Sequence, residues 1–158
     1  MTAVIHRTLV INAAFLQEIK EDNRELRDLL ARCRKLLGPN LETPRNAEIM
    51  DLLEELCDQL GMHFALEEAF GYFEDAMLEA PQLSSAVESL RQEHAVLFRA
   101  FCDVTEIAER LRYRHASVRQ RQELAEAFHC FDAAFCDHES REAALIVQAI
   151  QDEIGVGD

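Results

Sequence analysis

Residues Leu124–Ala149 read LAEAFHCFDAAFCDHESREAALIVQA, and their apolar positions recur every three or four residues. This spacing places those positions along one face of an α-helix, which has 3.6 residues per turn. The face consists of Leu124, Phe128, Phe131, Phe135, His138, Glu142, Leu145 and Ala149. The stretch therefore predicts a long amphipathic helix whose buried face turns polar at one place, where His138 and Glu142 stand one turn apart.

Three further segments show the same periodicity, and the breaks between them define the fold. Glycine and proline interrupt the chain at LLGPNLETPRN (Leu36–Asn46), proline interrupts it at EAPQLSS (Glu79–Ser85), and YRHAS (Tyr113–Ser117) is a weaker break. Helices are therefore predicted over 8–37, 44–79, 84–112 and 117–152.

The lengths of the connections predict how these helices pack. Short connections make neighbouring helices antiparallel, so the prediction is an all-α, up-down-up-down antiparallel four-helix bundle with one domain over 1–158. Ser85 and Glu88 have the spacing of a capping box for the third helix.

Composition excludes several classes of function. The net charge of −14 argues against a nucleic-acid partner, because binding phosphates requires a basic surface. Five cysteines without a CxxC pair indicate reduced thiols. No signal peptide or membrane-length apolar run is evident, so we expect a soluble cytoplasmic protein with no membrane partner.

One basic cluster could dock an acidic partner or offset nearby carboxylates: Arg110, Arg112, Arg114, Arg119 and Arg121.

The other helices also turn polar along their apolar faces. The second helix has His63 and Glu67 there, the third has His94, and the first has Asn23. Counting residues from the ends of the antiparallel helices places these groups and the His138–Glu142 pair within roughly 9 Å along the bundle axis. Six polar side chains could therefore meet in one layer of an otherwise apolar core.

Such a layer is typical of a metal site. Charged groups are rarely buried unless they are paired or bound to a metal, and imidazole together with carboxylate suits iron, manganese or zinc. Two His–Glu pairs at i, i+4 offer carboxylates that can bridge two ions. The ferritin-like alternative requires Glu-x-x-His on two helices. Only Glu126 and His129 match that pattern, without a partner helix.

Four stretches in this order resemble the hemerythrin-like (HHE cation-binding) family. They are EIKEDNRELRDLL (18–30), HFALEE (63–68), RQEHAVLF (91–98) and DHESREAALI (137–146). The resemblance implies a non-haem pair of iron ions with oxo or hydroxo and carboxylate bridges. His63 would bind one iron, His94 and His138 the other, and Glu67 and Glu142 would bridge them. Manganese or zinc are alternatives.

The chain departs from the family pattern at two positions. Asn23 stands where the family has a histidine, and Phe98 stands where the oxygen carriers place another. The site is therefore poor in histidine, and the first metal would be held loosely, carry an extra water or recruit a neighbouring ligand. Glu68 and Glu139, each beside a predicted ligand, are the available substitutes.

The resemblance implies a protein that binds or senses oxygen, a related small oxidant, or iron itself. The expected partner is a small diatomic or peroxide ligand, and no protein partner can be assigned. Two alternatives stay open at this point. One is a di-metal redox enzyme, such as an oxidase or peroxidase. The other is an interaction module whose metal site has decayed, beginning at Asn23.

Overall fold

The computed structural model describes residues 23–39, 46–69, 81–113 and 115–155. Within these ranges the chain forms helices and no β-strand. We number the helices α1 (23–36 as described), α2 (Asn46–Ala69), α3 (Ser84–Arg112) and α4 (Val118–Gly155). A short 3₁₀ turn, Pro81–Leu83, precedes α3. Of these described helices, none is both long enough and apolar enough to cross a membrane.

Side-chain contacts show that α3 and α4 run antiparallel. The rings of His94 and His138 lie 5.0 Å apart, and those of Phe101 and Phe131 lie 4.8 Å apart. Seven residues forward along α3 thus correspond to seven residues backward along α4.

The other helix pairs follow the same rule. Phe64 of α2 stacks on His94 at 4.6 Å, whereas Gly61, one turn earlier, faces Phe98, one turn later. In α1, Arg34 pairs with Asp132 of α4. Beyond the end of α1, the carbonyl of Leu37 accepts a bond from His129, three residues before Asp132. The predicted up-down-up-down four-helix bundle is confirmed.

The core consists of the faces predicted from the periodicity. Leucine and phenylalanine side chains from all four helices pack into one buried cluster, which gives the bundle its hydrophobic stabilisation. Among the largest fully buried side chains are Leu53, Leu56, Phe101 and Phe128.

The capping of two helices differs from the prediction. The capping box predicted at Ser85 and Glu88 is wrong, because the N-cap residue of α3 is Leu83, two residues before Ser85, and no side chain caps the helix. The preceding 3₁₀ turn leads the chain into the helix instead. A capping box is present at α4, where the Ser117 hydroxyl accepts from the Gln120 amide N–H and the Gln120 side chain accepts from the Ser117 N–H.

Some predictions concern residues outside the described ranges. The predicted helical residues 8–22, 44–45 and 70–79 belong to this group. Of the predicted helix boundaries, the start of the third helix agrees with the structure, and the fourth helix extends slightly further than predicted, to Gly155.

Candidate metal centre

Five polar side chains lie buried together in the bundle core, and they are the five for which a metal-binding role was predicted most directly. They are His63, Glu67, His94, His138 and Glu142, each no more than 6 % exposed. Helix periodicity explains their burial, because each occupies the inward face of α2, α3 or α4, where leucine or phenylalanine occupies an adjacent turn. The antiparallel register then brings the three helices' polar positions to one level.

The first of two potential ligand groups lies between α2 and α4. It consists of His63, Glu67 and Glu139, whose ligand atoms lie within 4.8 Å of one another. His63 Nε2 lies 2.9 Å from Glu67 Oε1 and 3.2 Å from Glu139 Oε1. Glu139, half-buried, is thus brought beside His63 and Glu67 by the packing of α4 on α2.

The second group lies between α2, α3 and α4 and is buried throughout. It consists of Glu67, His94, His138 and Glu142. Nε2 of His94 lies 3.2 Å from Glu67 Oε2 and 3.3 Å from Glu142 Oε1. Glu142 Oε1 also lies 3.0 Å from His138 Nε2.

Glu67 belongs to both groups and presents a different oxygen to each. Its Oε1 faces His63 and its Oε2 faces His94. This is the arrangement expected of a bridging carboxylate. Glu142, for which the resemblance also implied a bridging role, belongs only to the second group.

The two types of buried side chain shift each other's protonation. Burial alone would raise the pKa of Glu67, but the neighbouring imidazoles of His63 and His94 outweigh it and lower that pKa from 4.5 to about 2. Burial alone would lower the pKa of His94, but Glu142 and Glu67 outweigh it and raise that pKa from 6.5 to about 9. The pKa of His138 is raised in the same way, against burial, by Glu142 and Glu93. The metal-free site thus holds protons in place of cations.

Outer carboxylates hold two of the imidazoles by their other nitrogen. Nδ1 of His138 donates to Glu93 Oε2 at 2.9 Å, and Nδ1 of His94 faces Glu68 Oε1 at 3.2 Å. Since a carboxylate only accepts, these contacts place the proton on Nδ1 and leave Nε2 free to bind a metal. Glu68, suggested from the sequence as a substitute ligand, therefore lies on the far side of the His94 ring from the ligand group.

The sequence analysis did not predict the hydrogen bonds that hold His138 in place. Arg141 donates to both oxygens of Glu93 at 2.7 Å and to Asp137 at 2.9 Å. The hydrogen bonds from Arg141, with a contribution from His138 and against partial burial, lower the pKa of Glu93 to about 2. The available signal was position, because Glu93 precedes one predicted ligand and Arg141 precedes another.

The donor set fits a divalent cation. In the described core, Glu67 Oε2 and His138 Nε2 are fully buried, and each has an ionisable group beside it: His94 Nε2 at 3.2 Å and Glu142 Oε1 at 3.0 Å. Charged groups are rarely buried unless they are paired or bound to a metal. Three carboxylates and three imidazoles around these atoms offer the charge and the ligand types that iron, manganese or zinc bind.

Apolar side chains enclose the two groups. Phe64 stacks on His94, and its ring lies 6.4 Å from that of His138. The Phe135 ring lies 6.1 Å from that of His63. These rings shield the imidazoles from water, which strengthens the electrostatic interactions between the buried groups.

The remaining candidates lie elsewhere. Asn23, at the start of the described part of α1, is half-buried rather than buried like the five side chains above. Glu126 and His129, the ferritin-like pair, are exposed, and His129 donates to the Leu37 carbonyl at 3.3 Å. His115 is exposed in the connection before α4.

Comparison with known proteins identifies the family of this bundle. No curated protein and no solved structure matches the chain. The family model of the hemerythrin HHE cation-binding domain matches residues 14–112, more than half of the chain. The match covers His63, Glu67 and His94 and ends before α4, which supplies His138 and Glu142 at the same level. The chain belongs to the hemerythrin HHE cation-binding domain family.

Proposed function

We propose that the protein binds two iron ions in the buried layer and uses them to bind or reduce a small oxidant, such as a diatomic gas or a peroxide. The observation that carries this proposal is the position of Glu67, whose two oxygens face two separate ligand groups. A site for one metal would need only one of these groups.

The chain's own residues divide between the two ions. His63, Glu67 and Glu139 would hold the first, and Glu67, His94, His138 and Glu142 the second. Glu139 takes the place of the family histidine that Asn23 replaces, which supplies a carboxylate where an amide oxygen would bind weakly. The first ion would have fewer protein ligands and more open positions than the second.

Bound iron supplies one-electron redox chemistry and coordination positions that a small molecule can occupy. The protein's contribution is to orient the ligands and to keep the layer dry. Glu93 and Glu68 fix the tautomers of His138 and His94, so each Nε2 faces inward with a free lone pair. Phe64 and Phe135 restrict the space beside the imidazoles, which favours a small oxidant over a bulky organic substrate.

A decayed site that serves only as an interaction module is less consistent with the structure. Such a site would satisfy its buried polar groups by mutual hydrogen bonds. The described part of the core does so only with protonated imidazoles, since the raised pKa values of His94 and His138, against burial, reflect their contacts with Glu67 Oε2 at 3.2 Å and Glu142 Oε1 at 3.0 Å. A bound cation would satisfy both atoms.

The test is iron stoichiometry after anaerobic reconstitution with Fe²⁺, followed by ultraviolet-visible spectroscopy in the presence of oxygen or peroxide. The wild type should bind two irons, and Glu139→Gln should bind one. Glu123→Gln is the matched control, since Glu123 is an exposed glutamate on the same helix whose only described ion pair is with Arg119 at the surface. Less than a tenth of an equivalent of iron in the wild type would overturn the proposal. Two irons without any spectral response to either oxidant would leave only iron binding.

A further inference from the structure

A second site lies at the other end of the bundle, where α1 and α3 end and α2 and α4 begin. There the helix ends form a cavity of about 520 Å³ that is open to solvent on one side. It is separate from the metal layer, because Ala108 in its lining is fourteen residues beyond His94 on α3, about 21 Å along the helix axis.

The lining of this cavity is mainly apolar. Its aliphatic walls come from all four helices or their ends: Leu36, Ile49, Ala108, Leu111, Leu124 and Ala125. The volume is typical of a site for a small organic molecule. Apolar walls of this extent favour a ligand with a hydrocarbon body, whose burial is driven by the hydrophobic effect.

One charged group in the lining indicates the polar group that the ligand should carry. Arg121 lines the cavity, and its Nε is buried without a hydrogen-bond partner among the described residues. An N–H of a guanidinium is an obligatory donor, and leaving it buried and unpaired is costly. Arg121 is also the fourth residue of α4, near the positive end of the helix dipole. Both effects favour a negatively charged acceptor at this position.

The other polar groups limit the charge of that acceptor. Glu126 and His129 also line the cavity, but both are exposed residues at its rim. His129 is directed to the Leu37 carbonyl. With one half-buried arginine, a carboxylate nearby and a net charge of −14 on the chain, the cavity favours a single negative charge over a polyanion.

We infer that this cavity binds an amphipathic monocarboxylate, a molecule with a hydrocarbon body in the apolar walls and one carboxylate that pairs with the guanidinium of Arg121. The site is independent of the metal layer. It also gives a role to part of the arginine cluster at the α3–α4 connection, which the metal site does not use.

The experiment is calorimetric titration of the full chain with dodecanoate below its micelle concentration. Arg121→Gln should weaken binding about tenfold or more, because a hydrogen bond to a charged group is lost. Arg119→Gln, the matched control on the exposed face of the same helix, should leave the affinity within about twofold. Ala125→Phe should abolish binding by filling the cavity. Circular dichroism confirms that each variant is folded.

Two further titrations separate the carboxylate from the hydrocarbon and the cavity from the metal. Dodecanol, of equal length and without charge, should bind the wild type about tenfold more weakly than dodecanoate. Glu67→Gln, which alters the metal layer alone, should bind dodecanoate like the wild type. Absence of binding, equal affinity for Arg121→Gln and the wild type, or loss of binding in Glu67→Gln would each overturn the assignment. The last result would place the carboxylate on the metal.

Discussion

The carboxylate of Glu93 on α3 holds His138 on α4 by its outer nitrogen, at 2.9 Å from Nδ1. Arg141 fixes that carboxylate from the solvent side through two hydrogen bonds. The chain Arg141–Glu93–His138 thus runs from the surface to the ligand group. It crosses from α4 to α3 and back, so it also fixes the register of the two helices at the site.

Replacing the Glu93 carboxylate should weaken binding of the second metal ion. In Glu93→Gln the neutral amide holds His138 less firmly and reduces the basicity of its Nε2. Changes of this kind typically cost 10–100-fold in metal affinity. Competition with a chromogenic chelator measures the affinity, and Glu106→Gln, at an exposed glutamate on the same helix, is the control. An affinity equal to the wild type's would show that Glu93 has no influence on metal binding.

The two buried glutamates should have unequal effects on iron content. Glu67 faces both ligand groups, whereas Glu142 belongs to one. Glu67→Gln should therefore lose most of both irons, and Glu142→Gln should retain about one. Metal analysis of the two variants after identical reconstitution distinguishes these outcomes. Two irons retained in Glu67→Gln would refute its bridging position.

Restoring the family histidine should increase the affinity for the first metal ion. Asn23→His would add an imidazole at the position where the family has one, and imidazole is a stronger ligand for iron than an amide oxygen. We expect tighter binding of the first iron, measured by chelator competition. Arg24→His, at an exposed neighbouring position, is the control. An unchanged affinity in Asn23→His would mean that residue 23 does not face the site.

The metal-free protein should lose stability as the pH rises above neutrality. The pKa of His94 is raised from 6.5 to about 9, so its stabilising contribution is complete below pH 6.5 and is lost as the pH rises through 9. A loss on the order of 1 kcal/mol would lower the Tm of a domain of this size by about 2–4 °C.

The metal-loaded protein is the control for this effect, because a coordinated His94 carries no proton to lose. Its Tm should show no such decrease between pH 6.5 and 9 when both forms are followed by circular dichroism. Parallel pH profiles for both forms would contradict the assigned role of His94.

At acid pH the dependence of stability on pH has the opposite sign. The pKa of Glu67 is lowered to about 2, so its stabilising contribution is complete above pH 4.5 and is lost as the pH falls through 2.

Gly61 offers a test of the packing between α2 and α3. A Cβ at this position would lie 3.5 Å from the Phe98 ring, an ordinary van der Waals distance. Gly61→Ala should therefore stabilise the fold by about 0.5–1 kcal/mol, since glycine within a helix loses more entropy on folding. Chemical denaturation measures the change. A decrease in stability would show that the two helices pack more closely here.

The sequence by itself determined the helices, their buried faces and the level of the polar layer. The reason is that hydrophobic periodicity is a local property: the apolar series from Leu124 to Leu145 identifies its own buried face in any bundle. The i, i+4 spacing of His63 and Glu67 likewise places both on one face without reference to another helix. Burial of all five predicted ligands followed from this periodicity.

Only the tertiary structure decided which groups face which atoms. Whether a carboxylate meets Nε2 or Nδ1 of a histidine depends on the axial register of two helices and on side-chain rotamers. Neither is encoded within one helix. Packing therefore directed Glu139 to His63, turned Glu68 to the outer side of His94, and brought Glu93 to His138. The cavity beside Arg121 has the same origin, because it exists only where the ends of four helices meet.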